Sequence, residues 1–281
     1  MNREEKIMKR MQEHYDYIKD KYEVVGLFLQ GSQNYGLDVY NDDYQSDIDT
    51  KAIVLPKFND FILGKEPVST TIVLENEEQK ANAIVSQGEH IDVKDVRIMF
   101  TMFKKANISY IELLFTDFYI INPKYKDIMK QIMDIRDDII DYPRLFKAMY
   151  GMTLEKRKAL CHPYPTIEWK IDKWGYDGKQ LSHLMRLFFT LQKIDEYGYL
   201  DKSVYIVDNE YKDDLITVKE NKADATLEKV IEVADNFCEW TKELVDKMLL
   251  DEWREPDTYK LDELLIKTLR QYFKEDILNE E

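Results

Sequence analysis

The residues best suited to chemistry in this chain are Gly31-Ser32 and, separated from them by thirteen residues, Ser46-Asp47-Ile48-Asp49. Glycine lets backbone N–H groups come close to phosphate oxygens, and a serine hydroxyl adds another donor. Carboxylates two apart on a strand point to one face, so Asp47 and Asp49 can converge on a divalent cation while Ile48 faces the core. A Gly-Ser turn beside paired carboxylates suits the holding of a metal-bound triphosphate. The pair alone is weak: with 55 acidic residues in 281, an acidic-x-acidic pattern arises by chance about ten times. Its weight comes from its coupling to Gly31-Ser32, to Tyr35-Gly36 and to the strands that flank it.

The elements that must position these residues are legible in outline. The apolar run Val24 to Leu29 has strand length and stops at the Gly-Ser turn, and Asp47 to Leu55 starts a second strand. Further strands are expected near Ile72-Val73-Leu74, over Glu89 to Val93, and at Phe118 to Ile121. Helices are expected over Glu4 to Tyr22, Val96 to Lys105, Tyr125 to Ile135, Arg144 to Leu160, Lys179 to Tyr197, Leu227 to Leu250 and Leu261 to Phe273. The fold class is α+β: a small mixed sheet flanked by helices, followed by a mainly helical C-terminal region. A boundary falls near Asp137 to Pro143, dividing the chain into residues 1–140, with the sheet, and 141–281, a helical domain completing the site.

A third carboxylate has three candidates: Glu89, Asp92 and Asp95. Alternation puts Ile91 and Val93 on one face and His90, Asp92 and Lys94 on the other. Asp95 sits where the next helix needs an N-cap. Asp92 is preferred. His90 shapes the crevice or is simply solvent-exposed rather than binding magnesium, which favours oxygen ligands. A second constellation is Lys179, His183 and Arg186, spaced four and three apart on one helical stripe, with Leu184, Leu187, Phe188 and Leu191 on another. Gly178 and Tyr176, just before it, favour close approach of a ligand, with a plain turn as the alternative for Gly178.

Gly31-Ser32-Gln33-Asn34-Tyr35-Gly36 with Ser46-Asp47-Ile48-Asp49 resembles the signature of the DNA polymerase β-like nucleotidyltransferase superfamily. More narrowly, the chain is similar to the predicted nucleotidyltransferases associated with RNA-repair pathways. Asp92 leading into Arg97-Ile98-Met99-Phe100, Asn107 through Glu112-Leu113-Leu114-Phe115, and Gly175 to Lys179 with Ser182-His183 and Arg186 extend that likeness over most of the chain. The connector between Tyr35-Gly36 and Ser46, residues 37–45, is longer than the pattern expects.

The resemblance implies transfer of a nucleoside monophosphate from a nucleoside triphosphate to an acceptor hydroxyl, with release of pyrophosphate. Asp47, Asp49 and Asp92 would be the catalytic and metal-binding carboxylates, holding two Mg2+ ions about 4 Å apart, with Mn2+ as an alternative. Gly31, Ser32, Lys179, His183 and Arg186 would bind the nucleotide. The acceptor implied is an RNA end. A protein hydroxyl, a small-molecule hydroxyl of the aminoglycoside kind, and a non-catalytic nucleotide-binding regulator remain alternatives.

Composition narrows the setting. The net charge of −15 argues against a broad, sequence-blind grip on nucleic acid, which needs many lysine and arginine contacts to phosphate. Residues 143–193 run against that background, with ten Lys or Arg against four Asp or Glu, and carry interleaved aromatics including Trp169 and Trp174. Two cysteines, Cys161 and Cys238, are too few for a disulfide framework. No apolar run reaches membrane-spanning length and no signal-peptide pattern opens the chain, so a cytoplasmic location without membrane association is expected.

Overall fold

A computed structural model describes residues 2–40, 46–74, 88–165, 167–201 and 209–279. Residues 41–45, within the long connector, lie outside the described residues. The chain divides into two compact units interleaved in sequence. The first comprises residues 1–34, 47–141 and 255–281, and the second residues 35–46 and 142–254. The division at 141/142 coincides with the start of a long helix, while the C-terminal segment groups with the sheet rather than with the helices that precede it.

The first unit opens with α1 (Arg3–Ile18), started by a capping box in which Asn2 and Glu5 satisfy each other's backbone amides. Strand β1 (Glu23–Gln30) follows, then β2 (Asp49–Leu55), α2 (Phe58–Ile62), β3 (Ser69–Leu74) and β4 (Glu89–Asp95). Beyond them lie α3 (Val96–Lys104), α4 (Ile108–Ile111), β5 (Tyr119–Ile121), α5 (Lys126–Asp134) and α6 (Arg136–Ile139).

The five strands form one mixed sheet in the order β3-β4-β2-β1-β5. Strands β2 and β4 are parallel, with Thr50 opposite Ile91 and Lys51 opposite Asp92, and the remaining pairs are antiparallel. A strand buried on both faces reads as a continuous apolar run, which is why Val24 to Leu29 carries no alternation. One face, with Leu27, Leu29, Ala52, Val54, Ile91 and Val93, packs on Ile7, Met11 and Ile18 of α1. The other face carries Asp49, Lys51, His90 and Asp92, and α3 packs against β2 and β4.

The second unit is helical: α7 (Tyr142–Ala159), α8 (Glu168–Trp174), α9 (Gly178–Tyr197), α10 (Asn209–Lys219) and α11 (Leu227–Met248). Helices α7, α9 and α11 pack pairwise and α10 lies on α9. Leu160, Leu181, Leu184, Val230 and Ala234 form a core there, and each fully buried leucine or valine contributes roughly 1.5–3 kcal/mol. The last helix, α12 (Thr258–Asn279), returns to the first unit, where it packs on α2, α3, α5 and α6. It is longer at both ends than the apolar positions Leu264, Leu265 and Leu269 suggest.

Candidate active site

Strand β1 ends by delivering Gly31 into a left-handed turn, φ +75°, a conformation glycine adopts without steric cost. The pairing of Gln30 with Asp49 sets that turn beside the first residue of β2. A β-carbon on Gly31 would lie 3.8 Å from Asp49 Oδ2, so the turn backbone and the carboxylate are neighbours. The turn is tied down from two sides: Arg3 donates to the Gln33 carbonyl, and the Thr116 hydroxyl lies 2.6 Å from Asn34 Oδ1. Ser32, half-buried between these anchors, makes no side-chain hydrogen bond among the described residues.

Asp47 lies just ahead of β2 and Asp49 begins it. Ile48 packs into the α1-side core, as alternation requires, and Asp49 leaves the strand on the opposite face. Its Oδ1 accepts from the His90 backbone amide at 3.0 Å and lies 3.2 Å from the same residue's Nδ1. Strand β4 therefore holds one oxygen of Asp49 while the other sits toward Gly31.

The three candidates for a third carboxylate go to different places. Glu89 faces α1, where it is paired with Arg10 and lies 3.4 Å from His14 Nε2. Asp95 caps α3 through the Arg97 amide and takes the Arg97 guanidinium at 2.9 and 2.6 Å. Asp92 alone shares the Asp49 face. Its oxygens lie 2.9 Å from Lys51 Nζ and 2.8 Å from Lys94 Nζ. Burial would raise the Asp92 carboxyl, but hydrogen bonds and charge from Lys51 and Lys94 outweigh it and hold the group below its usual value. Lys51 in turn lies 4.3 Å above the Tyr110 ring, and burial together with Asp92 pushes the Tyr110 hydroxyl up to about 12.

The fit to a divalent ion is thus uneven. Asp47 and Asp49 supply the hard oxygen donors that magnesium favours, whereas both oxygens of Asp92 are held by ammonium groups. Among the described residues no three acidic, histidine or cysteine side chains are grouped as a metal site. A residue the sequence reading passed over stands behind this face: His14 of α1, fully buried, bonds Thr50 Oγ1 through Nδ1 at 3.0 Å. Its only signal was a polar member in the apolar stripe of Ile7, Met11 and Ile18.

In the second unit, Lys179, His183 and Arg186 share one stripe of α9, but the stripe does not face solvent as an amphipathic reading suggests. Arg186 is 4% exposed, and its guanidinium carbon lies 3.8 Å from the Tyr35 ring centroid. Burial and the charges of Arg186, Lys179, Lys156 and Lys219 push the His183 imidazole well below its ordinary value, so it is neutral at pH 7. Burial, with Lys179 and Arg186, likewise lowers the Lys156 ammonium. Lys219 donates to the Leu37 carbonyl at 2.6 Å and lies 3.4 Å from Ser46 Oγ, clasping the two ends of the connector. Gly178 serves packing rather than ligand approach: a β-carbon there would stand 2.0 Å from the Val218 carbonyl oxygen.

No family model matches the chain, and no curated protein matches it. Among solved structures it is similar to a nucleotidyltransferase-like protein from Exiguobacterium sibiricum, at 13% identity over 94% of this chain and 80% of that one, with a TM-score of 0.28. A likeness at that distance carries no functional weight. No described helix is long and apolar enough to cross a membrane.

Lys156, within the basic run of residues 143–193, and Lys219 show no sign of burial in the sequence, because a lysine near the C-terminal end of a charged helix ordinarily reads as solvated. Burial against other cations is a long-range property with no local signature.

Proposed function

We propose that this chain is a metal-dependent nucleotidyltransferase, moving a nucleoside monophosphate from a nucleoside triphosphate to an acceptor hydroxyl and releasing pyrophosphate. The observation that carries this reading is the left-handed Gly31 turn lying against the Asp49 carboxylate. A phosphate cradle and a cation-binding oxygen on adjacent strand ends suit a metal-bound polyphosphate.

In this reading the backbone at Gly31 and the Ser32 hydroxyl hold phosphate oxygens. Asp47 and Asp49 would hold magnesium, which when bound neutralises charge at the reacting phosphoryl group and acidifies the attacking hydroxyl. His90 fixes Asp49 Oδ1 and so sets the direction of Oδ2. Asp92 is the third carboxylate of the face, and Lys51 competes with a cation for its oxygen. An RNA end is the acceptor that the basic excess of residues 143–193 supports.

The test is incubation of the purified chain with each α-labelled nucleoside triphosphate, magnesium, and either RNA or a protein extract. Label should enter RNA with stoichiometric pyrophosphate release, and Asp49→Asn should stop it. Label in protein instead would replace RNA as acceptor, and absence of transfer to every acceptor would refute nucleotidyl transfer.

A further inference from the structure

Strand register decides what stands beside Asp92. The parallel pairing of β2 with β4 puts Lys51, not Asp49, directly across from it, and Asp49 lies two residues back along β2, about 6.6 Å away along the strand. Asp92 Oδ2 accepts from Lys51 Nζ at 2.9 Å, while Oδ1 accepts from Lys94 Nζ at 2.8 Å and from Thr71 Oγ1 at 3.3 Å. Both oxygens of this carboxylate are already engaged by donors of the first unit.

The two lysines are not equally free to give way. Lys94 has another acceptor in Ser69 Oγ at 2.9 Å. Lys51 is 5% exposed, and Asp92 is its hydrogen-bond acceptor among the described residues. Its ammonium lies 4.3 Å from the centroid of the Tyr110 ring of α4, whose face attracts a desolvated cation. A metal ion taking Asp92 would leave that ammonium buried without its carboxylate, a strongly destabilising exchange. Charge points the same way. Asp47, Asp49 and Asp92 bring three negative charges and Lys51 and Lys94 two positive ones, leaving one negative. One divalent cation turns this into a single positive charge, whereas two would pile up three.

We infer that this face takes one divalent cation, on Asp47 and Asp49, and that the Lys51 ammonium fills the place beside Asp92 where the family resemblance implies a second. Asp92 then holds Lys51 rather than ligating metal. The inference rests on the nucleotidyl-transfer reading and narrows its metal requirement.

The experiment counts Mn2+ bound to the full chain in the presence of each α,β-methylene nucleoside triphosphate in turn, by electron paramagnetic resonance after removal of unbound ions. One Mn2+ per chain with the spectrum of an isolated ion is expected. Two ions, spin-coupled at the separation of about 4 Å that a two-ion site requires, would overturn the inference and leave nucleotidyl transfer standing; no bound Mn2+ would remove the metal-dependent reading along with it. Asp49→Asn should weaken Mn2+ binding about tenfold or more, whereas Asp92→Asn should leave it unchanged. Because Asp92→Asn strands the buried ammonium, the Lys51→Met, Asp92→Asn double variant, which removes both charges together, repeats that measurement in a neutral setting and should also bind one ion as tightly as wild type. Weakened Mn2+ binding in the double variant would make Asp92 a ligand and overturn the inference. Lys51→Met alone frees Asp92 Oδ2 and should admit a second Mn2+; a count that stays at one would show that Lys51 does not hold that place.

Discussion

His90 reaches the same oxygen of Asp49 twice, with its backbone amide at 3.0 Å and its ring Nδ1 at 3.2 Å from Oδ1. The amide belongs to β4 whatever side chain stands at position 90, so His90→Ala keeps one anchor and loses the other. A lost hydrogen bond to a charged group is worth about 1.5–3 kcal/mol. We expect kcat/KM to fall about tenfold or more, measured by steady-state pyrophosphate release, with a loss of stability in urea unfolding no larger than that bond is worth. An unchanged rate would show that the amide alone orients Asp49.

Asp47→Ala and Asp49→Ala should each abolish transfer while leaving the fold intact. Both side chains are partly exposed at the start of the central strand β2 rather than in the core, so circular dichroism and Tm should stay close to wild type. Full turnover by either purified variant would remove that residue from the chemistry.

Gly31→Ala isolates the turn. At φ +75° an L-residue is disfavoured by about 1–2 kcal/mol, while the added carbon at 3.8 Å from Asp49 Oδ2 is in ordinary contact. The destabilisation therefore comes from the backbone, not from a clash. Urea unfolding should show that loss together with a raised KM for nucleotide, and a variant as stable and as active as wild type would exclude a phosphate role for the turn.

Asp92 and Lys51 offer a sharper division. If Lys51 competes with a cation for Asp92, Lys51→Met lowers the magnesium concentration needed for half-maximal activity. Stability should fall as well, because a buried pair loses one partner. If the magnesium requirement is unchanged while stability drops, Asp92 serves only the architecture of the sheet.

The sheet was legible because period-two alternation and apolar runs are local. Ile91 and Val93 against His90 and Asp92 separate by face in the structure as they do in sequence. Which candidate carboxylate shares a face with Asp49 was also legible from alternation, but its ammonium partners were not: Lys51 meets Asp92 only through the parallel pairing of β2 with β4. Helix α10 escaped notice because Asn209–Lys219 mixes charges with β-branched residues and shows little stripe. The burial of Arg186 was hidden for a related reason, since Tyr35, which covers it, is remote in sequence.

Lys219 gives the clearest pH dependence. Burial, with repulsion from Lys179 and Lys170 only partly offset by Asp38 and Glu220, lowers its ammonium to about 7. In the unfolded chain the same group titrates near 10.5, so between these values the unfolded state binds more protons than the folded one. Stability from this group therefore rises with pH across about 7 to 10.5, and below 7 the cost of burying the charge is fully expressed. Lys219→Met removes the titration along with the hydrogen bond to the Leu37 carbonyl. Urea unfolding at pH 6, 7, 8 and 9 should show the wild type gaining on Lys219→Met at each step above pH 7, with the difference flat below it. Parallel curves for the two proteins would mean that Lys219 keeps an ordinary ammonium in the folded state.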